Sequence, residues 1–320
     1  MNTTNSRFSL RSVFERTPPV VWALLIMVIF FGRSSPAFLS KENAVNLARQ
    51  GAFLFIVCMG VAIAKISGGI DLSVGGILTL AGMLGAMTLS RWGMPIAVGF
   101  LVTMLVGTLA GTLNGIFVTR MQVPAFIATL GTQYMAIGTS LGMNRGMVVT
   151  NLPKALQWYG DGFLLGIPVP LWFCAAAFLS TYVLLNHTPF GVYVYALGGN
   201  EEALKLAGKP AWWYRVLAFT YSGMMAGLAG MLITARNMSA QPLVGQGMEF
   251  QAFSAVVIGG SFVAGRGSAV DTVLGVLFVL ILRNGLNVMG VATFQQLAII
   301  GIVLLVGIIA SLLFERRLQK

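Results

Sequence analysis

Charged side chains are scarce: Asp, Glu, Lys and Arg make up 9% of the 320 residues against 57% hydrophobic ones, and mean hydropathy is +0.85. A soluble domain carries about 25% charged and about 45–50% apolar residues. Twenty Lys and Arg with nine Asp and Glu cannot cover a globule of this size with water-compatible surface. That excludes a soluble enzyme, and the hydrophobicity excludes a disordered chain. Histidine is nearly absent. His187 alone, at the end of an apolar run, builds neither a His-rich metal site nor a His-based triad. Cys58 and Cys174 lie far apart inside apolar runs, which argues against a disulfide framework or clustered metal site and reads as small apolar packing. No cleavable signal peptide is expected: residues 1–18 are polar, with Arg7, Arg11 and Arg16, and no small-residue cleavage site follows.

What is present is apolar length. The runs do not alternate, so they read as membrane-crossing helices rather than barrel strands. Ten are predicted: Pro19–Gly32, Asn46–Ile66, Ile70–Leu89, Pro95–Val118, Pro124–Leu141, Val169–Leu185, Val216–Thr234, Phe250–Val263, Val270–Leu282 and Leu297–Phe314. Residues 19–314 thus form one transmembrane domain between tails at 1–18 and 315–320. The eighth and ninth runs are short and Gly-interrupted, as broken or re-entrant helices are. Arg7, Arg11 and Arg16 at one end and Arg316, Arg317 and Lys320 at the other place both tails in the cytoplasm, which an even number of spans satisfies. The net charge of +11 then belongs to an anionic membrane surface, not to nucleic acid.

Glycine is abundant, 39 residues, and regularly spaced. Gly107, Gly111 and Gly115, then Gly138, Gly142 and Gly146, and Gly223 with Gly227, form small-xxx-small stripes, expected to pack helices within one bundle rather than to seal a dimer. Met121–Gly131 echoes Met289–Gly301, and Gly68-Gly69 echoes Gly259-Gly260, as inverted repeats of a transporter would.

The most informative polar stretch runs from about 198 to 211. Asn200 is a candidate N-cap, Glu201 and Glu202 suit the positive end of a helix dipole, and Gly208 with Pro210 ends the helix two turns later. Its small apolar face, Ala203, Leu204 and Ala207, fits a groove on a soluble partner. A span-edge carboxylate, Asp71, is expected as a helix N-cap that could pair with Lys65, while Glu249 and Arg283 are expected near external span ends. Within or beside the spans the polar groups are neutral: Asn114, Thr129, Gln133, Tyr134, Ser254, Asn284, Asn287, Gln295 and Gln296. They suit a path for an uncharged polyhydroxy solute, or hydrogen bonds between helices, and mid-span carboxylates for a proton relay are not expected. Gly208-Lys209 is no phosphate loop, because Pro210 stands at the Ser/Thr position and residue 203 is Ala.

Glu202-Ala203-Leu204 followed by Gly208 resembles the Glu-Ala-Ala-x-x-x-Gly loop by which ABC-importer permeases engage their ATPase. Ser67-Gly68-Gly69-Ile70-Asp71-Leu72-Ser73-Val74-Gly75 resembles the signature of the monosaccharide branch, the ribose/arabinose/xylose/galactose-type permeases. Pro124–Gly131, Thr188–Gly191, Ala196–Glu201, Ala255–Gly260 and Asn284–Asn287 are similar to that family too. Val192, Gln251 and Asp271 depart from its usual residues. The resemblance implies an all-helical permease of the vitamin-B12-importer type with about ten spans. It also implies a partner ATPase that binds the ATP, an extracytoplasmic binding protein, a second permease subunit and surrounding lipid, with no cofactor or metal of its own. An ion-coupled secondary transporter and an integral-membrane enzyme are the rival readings.

Overall fold

The computed structural model describes residues 18–260, 263–292, 295, 296, 298–303, 305, 306 and 309. Its helices are α1 (Pro19–Ser34), α2 (Lys41–Ile66), α3 (Val74–Ser90), α4 (Ile96–Thr119), α5 (Ala125–Met143), α6 (Gln157–Asp161), α7 (Val169–Asn186), α8 (Pro189–Gly199), α9 (Glu201–Leu206), α10 (Ala211–Asn237), α11 (Met248–Gly259) and α12 (Ala269–Val288). Proline opens α1, α4, α5, α7, α8 and α10, where its fixed φ is pre-set for helix and its missing N–H is not needed. A two-residue-a-strand hairpin, β1 (Phe163–Leu164) and β2 (Ile167–Pro168), pairs antiparallel in the register Phe163↔Pro168 and Leu164↔Ile167.

The first nine expected runs coincide with α1 to α5, α7 and α10 to α12. Of these, α2, α4, α7, α10 and α12 are long and apolar enough to cross a membrane, while α1, α3 and α11 are shorter apolar helices. The tenth run lies mostly outside the described residues, as do Arg7, Arg11, Arg16 and the basic C-terminal tail. Two helices, α6 and α8, have no counterpart among the expected elements. Thr188 breaks the chain after α7, and Pro189 restarts it as α8.

Helices α2 and α10 are buried along most of their length and form the centre of the bundle. α4 lies against α10 at backbone distance. A Cβ built on Gly107 would sit 2.1 Å from the carbonyl of Gly223, and one on Gly111 would sit 2.2 Å from that of Phe219. Gly227 likewise abuts Thr103, so the α4 and α10 stripes do pack within the bundle, as expected. The α5 stripe does not. Among the described residues nothing lies within 4 Å of the Cβ positions of Gly138, Gly142 and Gly146, because the opposite face of α5 is the one that meets α3 and α4.

The ion pairs among the described residues lie at the two ends. At one end Arg49 and Arg236 both reach Asp161, at 3.8 and 3.0 Å. At the other, Arg215 and Lys205 reach Glu201, and Arg120 stacks over Trp212 at 3.8 Å.

Candidate functional site

Two polar regions stand out, one at the end of the bundle and one inside it. At the end, α9 is a six-residue helix held by local devices. The Asn200 Oδ1 accepts the backbone N–H of Ala203 at 2.9 Å, the expected cap. Gly208 ends it with φ +71°, a left-handed conformation suited to glycine. Glu201 accepts from Lys205 at 2.8 Å within the helix and from Arg215 of α10 at 2.7 Å. Partial burial opposes ionisation, but those two cations outweigh it and hold the Glu201 carboxyl below the usual range. The apolar face differs from expectation. Leu204 turns inward and is buried with Leu197 and Ala211, so it cannot meet a partner. Leu206 faces out instead and is 90% exposed, beside the exposed Glu202, Ala203 and Ala207. An isolated leucine cannot be placed on the right face by composition; the 100° step per residue from Leu204 decides it.

Inside the bundle, the glycine-rich segment 67–76 gathers side chains from several helices. Arg215 of α10 donates to the Ser67 carbonyl near the start of α10, while Gly230, near its other end, abuts the Leu78 carbonyl. Residues 71–75 therefore lie at depths between those two levels. Asp71 is 1% exposed, and its Oδ1 accepts from the Ser73 N–H at 3.0 Å and the Ser73 hydroxyl at 2.5 Å. Asp71 is not the N-cap of α3, and it does not pair with Lys65. Ser73 holds the cap position and Asp71 forms a turn two residues before it. The Asn114 amide donates to the Ser73 hydroxyl at 2.8 Å, and its carbonyl accepts from Thr132 at 2.5 Å. The Thr129 hydroxyl shares its one proton between the Ala125 carbonyl at 2.8 Å and the Ile70 carbonyl at 3.1 Å, and the Gln133 side-chain carbonyl accepts the Gly76 N–H at 2.5 Å.

A second helix start enters the same region. The chain before α11 returns into the bundle, where Gly245 donates to Thr79 at 3.0 Å and lies against the Gly75 carbonyl. Glu249, in the first turn of α11, is 5% exposed, and a Cβ on Gly75 would sit 2.4 Å from its Oε2. Glu249 is therefore not at an external mouth. Together with Asp71 it places buried carboxylates inside the bundle, contrary to the expectation of neutral groups alone. Glycine at position 75 is required by this close approach. The sequence carries the signature but no mark of the long-range contact with Glu249.

The other candidates scatter. Tyr134 is 72% exposed on the outer face of α5. Ser254 is buried in α11, and Asn284 exchanges two amide hydrogen bonds of 2.9 Å with Asn43. Asn287 and Gln295 are exposed, and Gln296 donates to the Val291 carbonyl at 2.7 Å. Gly68, with φ +86°, turns the chain out of α2, and Gly69 is packed against the Phe219 ring. Of the residues absent from the expected sites, Arg215 and Leu206 matter most.

An apolar helical bundle with a polar interior and a short capped helix at one end is the frame of a multi-pass membrane permease. The family described as "Branched-chain amino acid transport system / permease component" matches residues 43–308, and the chain belongs to it. Over 312 residues it is 38% identical to the ribose import permease protein of Bacillus subtilis, covering 97% of this chain and 96% of that one. It is 34% identical over 299 residues to the D-allose transport system permease protein of Escherichia coli, at 93% and 90% coverage. To a probable ABC transporter permease protein of Escherichia coli it is 35% identical over 316 residues, at 98% and 94% coverage. It is a transport subunit, the permease component of an ABC importer. No solved structure matches it.

Proposed function

We propose that this chain translocates a monosaccharide such as ribose, or a similar small polyol, across the inner membrane. A separate ATPase drives it and an extracytoplasmic binding protein delivers the sugar. The observation that carries this reading is α9, whose exposed Ala203, Leu206 and Ala207 form a small apolar face at the end of the bundle. Asn200 and Gly208 fix its ends and Glu201 fixes it to α10, so a partner pushing on it moves a rigid element. The relatives named for ribose import and D-allose transport support a sugar as cargo. The neutral groups Asn114, Thr129 and Gln133 suit an uncharged polyhydroxy solute once the helices part, since all three are buried in the present packing.

The finer architecture belongs to the same proposal: ten spans of the vitamin-B12-importer type with inverted repeats, both tails and α9 in the cytoplasm, and no cofactor of its own. A second permease subunit packs on the outer face of α5, where Gly138 and Gly142 have no neighbour within 4 Å among the described residues. The test is reconstitution of the chain in proteoliposomes with a sugar-importer ATPase and a sugar-binding protein from the same cell. Labelled ribose should accumulate only with ATP and both partners. Uptake by the chain alone, driven by an ion gradient, would overturn the reading.

A further inference from the structure

We propose that Arg215 is a positioning residue that ties the α9 helix to the glycine-rich segment inside the bundle; this rests on α9 being the element that the ATPase moves. The Arg215 side chain projects from α10 and is mostly buried. One guanidinium nitrogen, Nη1, lies 2.7 Å from the Glu201 carboxylate of α9. The other, Nη2, donates to the carbonyl of Ser67 at 3.3 Å, at the exit of α2. No other side chain among the described residues bonds to both elements. The next residue, Gly68, also lies against Nη2, so the fork sits at the bend where the chain leaves α2.

Past that bend the chain enters the polar interior. Ile70, Asp71 and Ser73 are fastened to Thr129, Asn114 and, through Asn114, Thr132. A displacement of α9 is therefore transmitted through two polar contacts to a segment that four helices share. A second, backbone route meets the same point. Gly198, at the end of α8, abuts the Ile66 carbonyl, which also accepts the N–H of Gly265 at 2.9 Å. Those contacts close the bundle end, and α9 joins α8 through the chain at Asn200 and through Leu204 packed with Leu197 and Ala211. Among the described residues, the direct side-chain link from α9 to the Ser67–Gly68 bend is the Arg215 fork.

Guanidinium chemistry fits this role. A planar fork presents separate N–H groups to two acceptors at a fixed angle, which a lysine ammonium on a flexible stem does not reproduce. Static stability does not demand the residue, because Glu201 retains Lys205 at 2.8 Å when Arg215 is gone. Coupling between distant sites needs a two-state element that both bias, and in this proposal the 67–76 segment takes that part.

The experiment uses the whole importer, with its ATPase and binding protein, in lipid nanodiscs and proteoliposomes. Arg215→Lys should assemble with the ATPase at the normal level and keep basal ATP hydrolysis. Its stimulation by the loaded binding protein, and sugar moved per ATP, should fall by about fivefold or more. A double variant, Glu201→Arg with Arg215→Glu, restores the ion pair but not the donation to Ser67, and it should stay uncoupled. Normal stimulation in Arg215→Lys, or rescue by the charge swap, would overturn the proposal. So would a loss of assembly and basal activity in equal proportion, which marks a merely structural residue. If the unsubstituted chain neither binds an ATPase nor moves sugar, it is the function proposed above that fails, and this link falls with it.

Discussion

Two glycine stripes in neighbouring helices look alike in sequence and are used in opposite ways. On α4, Gly107, Gly111 and Gly115 press against the backbone of α10. On α5, Gly138 and Gly142 at the same four-residue spacing have nothing within 4 Å of their Cβ positions among the described residues. A small-xxx-small pattern records that a helix face is smooth enough for close approach. It does not record what approaches. That depends on which helix the topology brings alongside, and α10 can lie against only so many neighbours.

Substitution separates the two uses, and the largest effect belongs to the packed stripe. Gly111→Leu drives a side chain into the Phe219 carbonyl, 2.2 Å from where its Cβ must sit. Backbone cannot give way as a flexible side chain can, so the cost exceeds about 3 kcal/mol. The variant should not accumulate in membranes, as quantitative immunoblotting of membrane fractions will read. Normal accumulation would mean that α4 and α10 are not in backbone contact.

The asparagines offer the same contrast at smaller scale. Asn114 is fully buried and makes bonds to Ser73 and Thr132. Replacing it with Leu keeps the volume but leaves the Thr132 hydroxyl without its acceptor and Ser73 without a donor, though Ser73 still bonds Asp71, at about 1–3 kcal/mol. The melting temperature of the detergent-solubilised protein should fall accordingly, and an unchanged value would show that the network contributes nothing. Asn200 is exposed and caps only α9. Asn200→Ala costs about 1 kcal/mol, and the loss is confined to that helix. Global melting should not move, while ATP-driven uptake at matched membrane levels should drop. A lower melting temperature would mean that α9 is part of the folded core.

How far each region was legible in advance depends on the range of the interaction that builds it. The Asn200 cap, the Gly208 stop and the bounds of most apolar helices rest on contacts within four residues, and the sequence displays both halves of each. The interior was legible as a list, Gly68 to Gly75 with Asn114, Thr129 and Gln133, but not as an arrangement. Glu249 reads as a residue near an external span end because it directly precedes the apolar run Phe250–Val263. Only the contact of Gly245 with Gly75, some 170 residues apart in sequence, carries it inside. Asp71 gave up its expected cap to Ser73 for a local reason that was readable, since a turn two residues long competes with a cap. Leu206 and Arg215 were missed differently. Each is an ordinary residue whose meaning depends on facing, outward for the one and across two elements for the other.

The smallest effect on the single chain is expected on α5, and it bears most directly on the contrast between stripes. Gly138→Leu adds a side chain into space that the described residues leave open, since none of their atoms lies within 4 Å of the Cβ position. Leucine also favours helix over glycine by about 0.5–1 kcal/mol. The variant should therefore reach the membrane in full amount and melt within about 0.5 kcal/mol of the parent, or slightly above it. If a second permease subunit seats on this face, as proposed, the same leucine stands between two helices that must approach closely. Paired subunits, counted by native mass spectrometry, should fall while the single chain stays folded. Cys58 and Cys174 are both buried, so a cysteine placed at Gly142 can report the same seam by cross-linking without interference. A destabilised single chain would show that α5 is covered from within, making both stripes the same device. A stable chain with undiminished pairing would leave the α5 face turned to lipid and move the subunit seam elsewhere on the bundle.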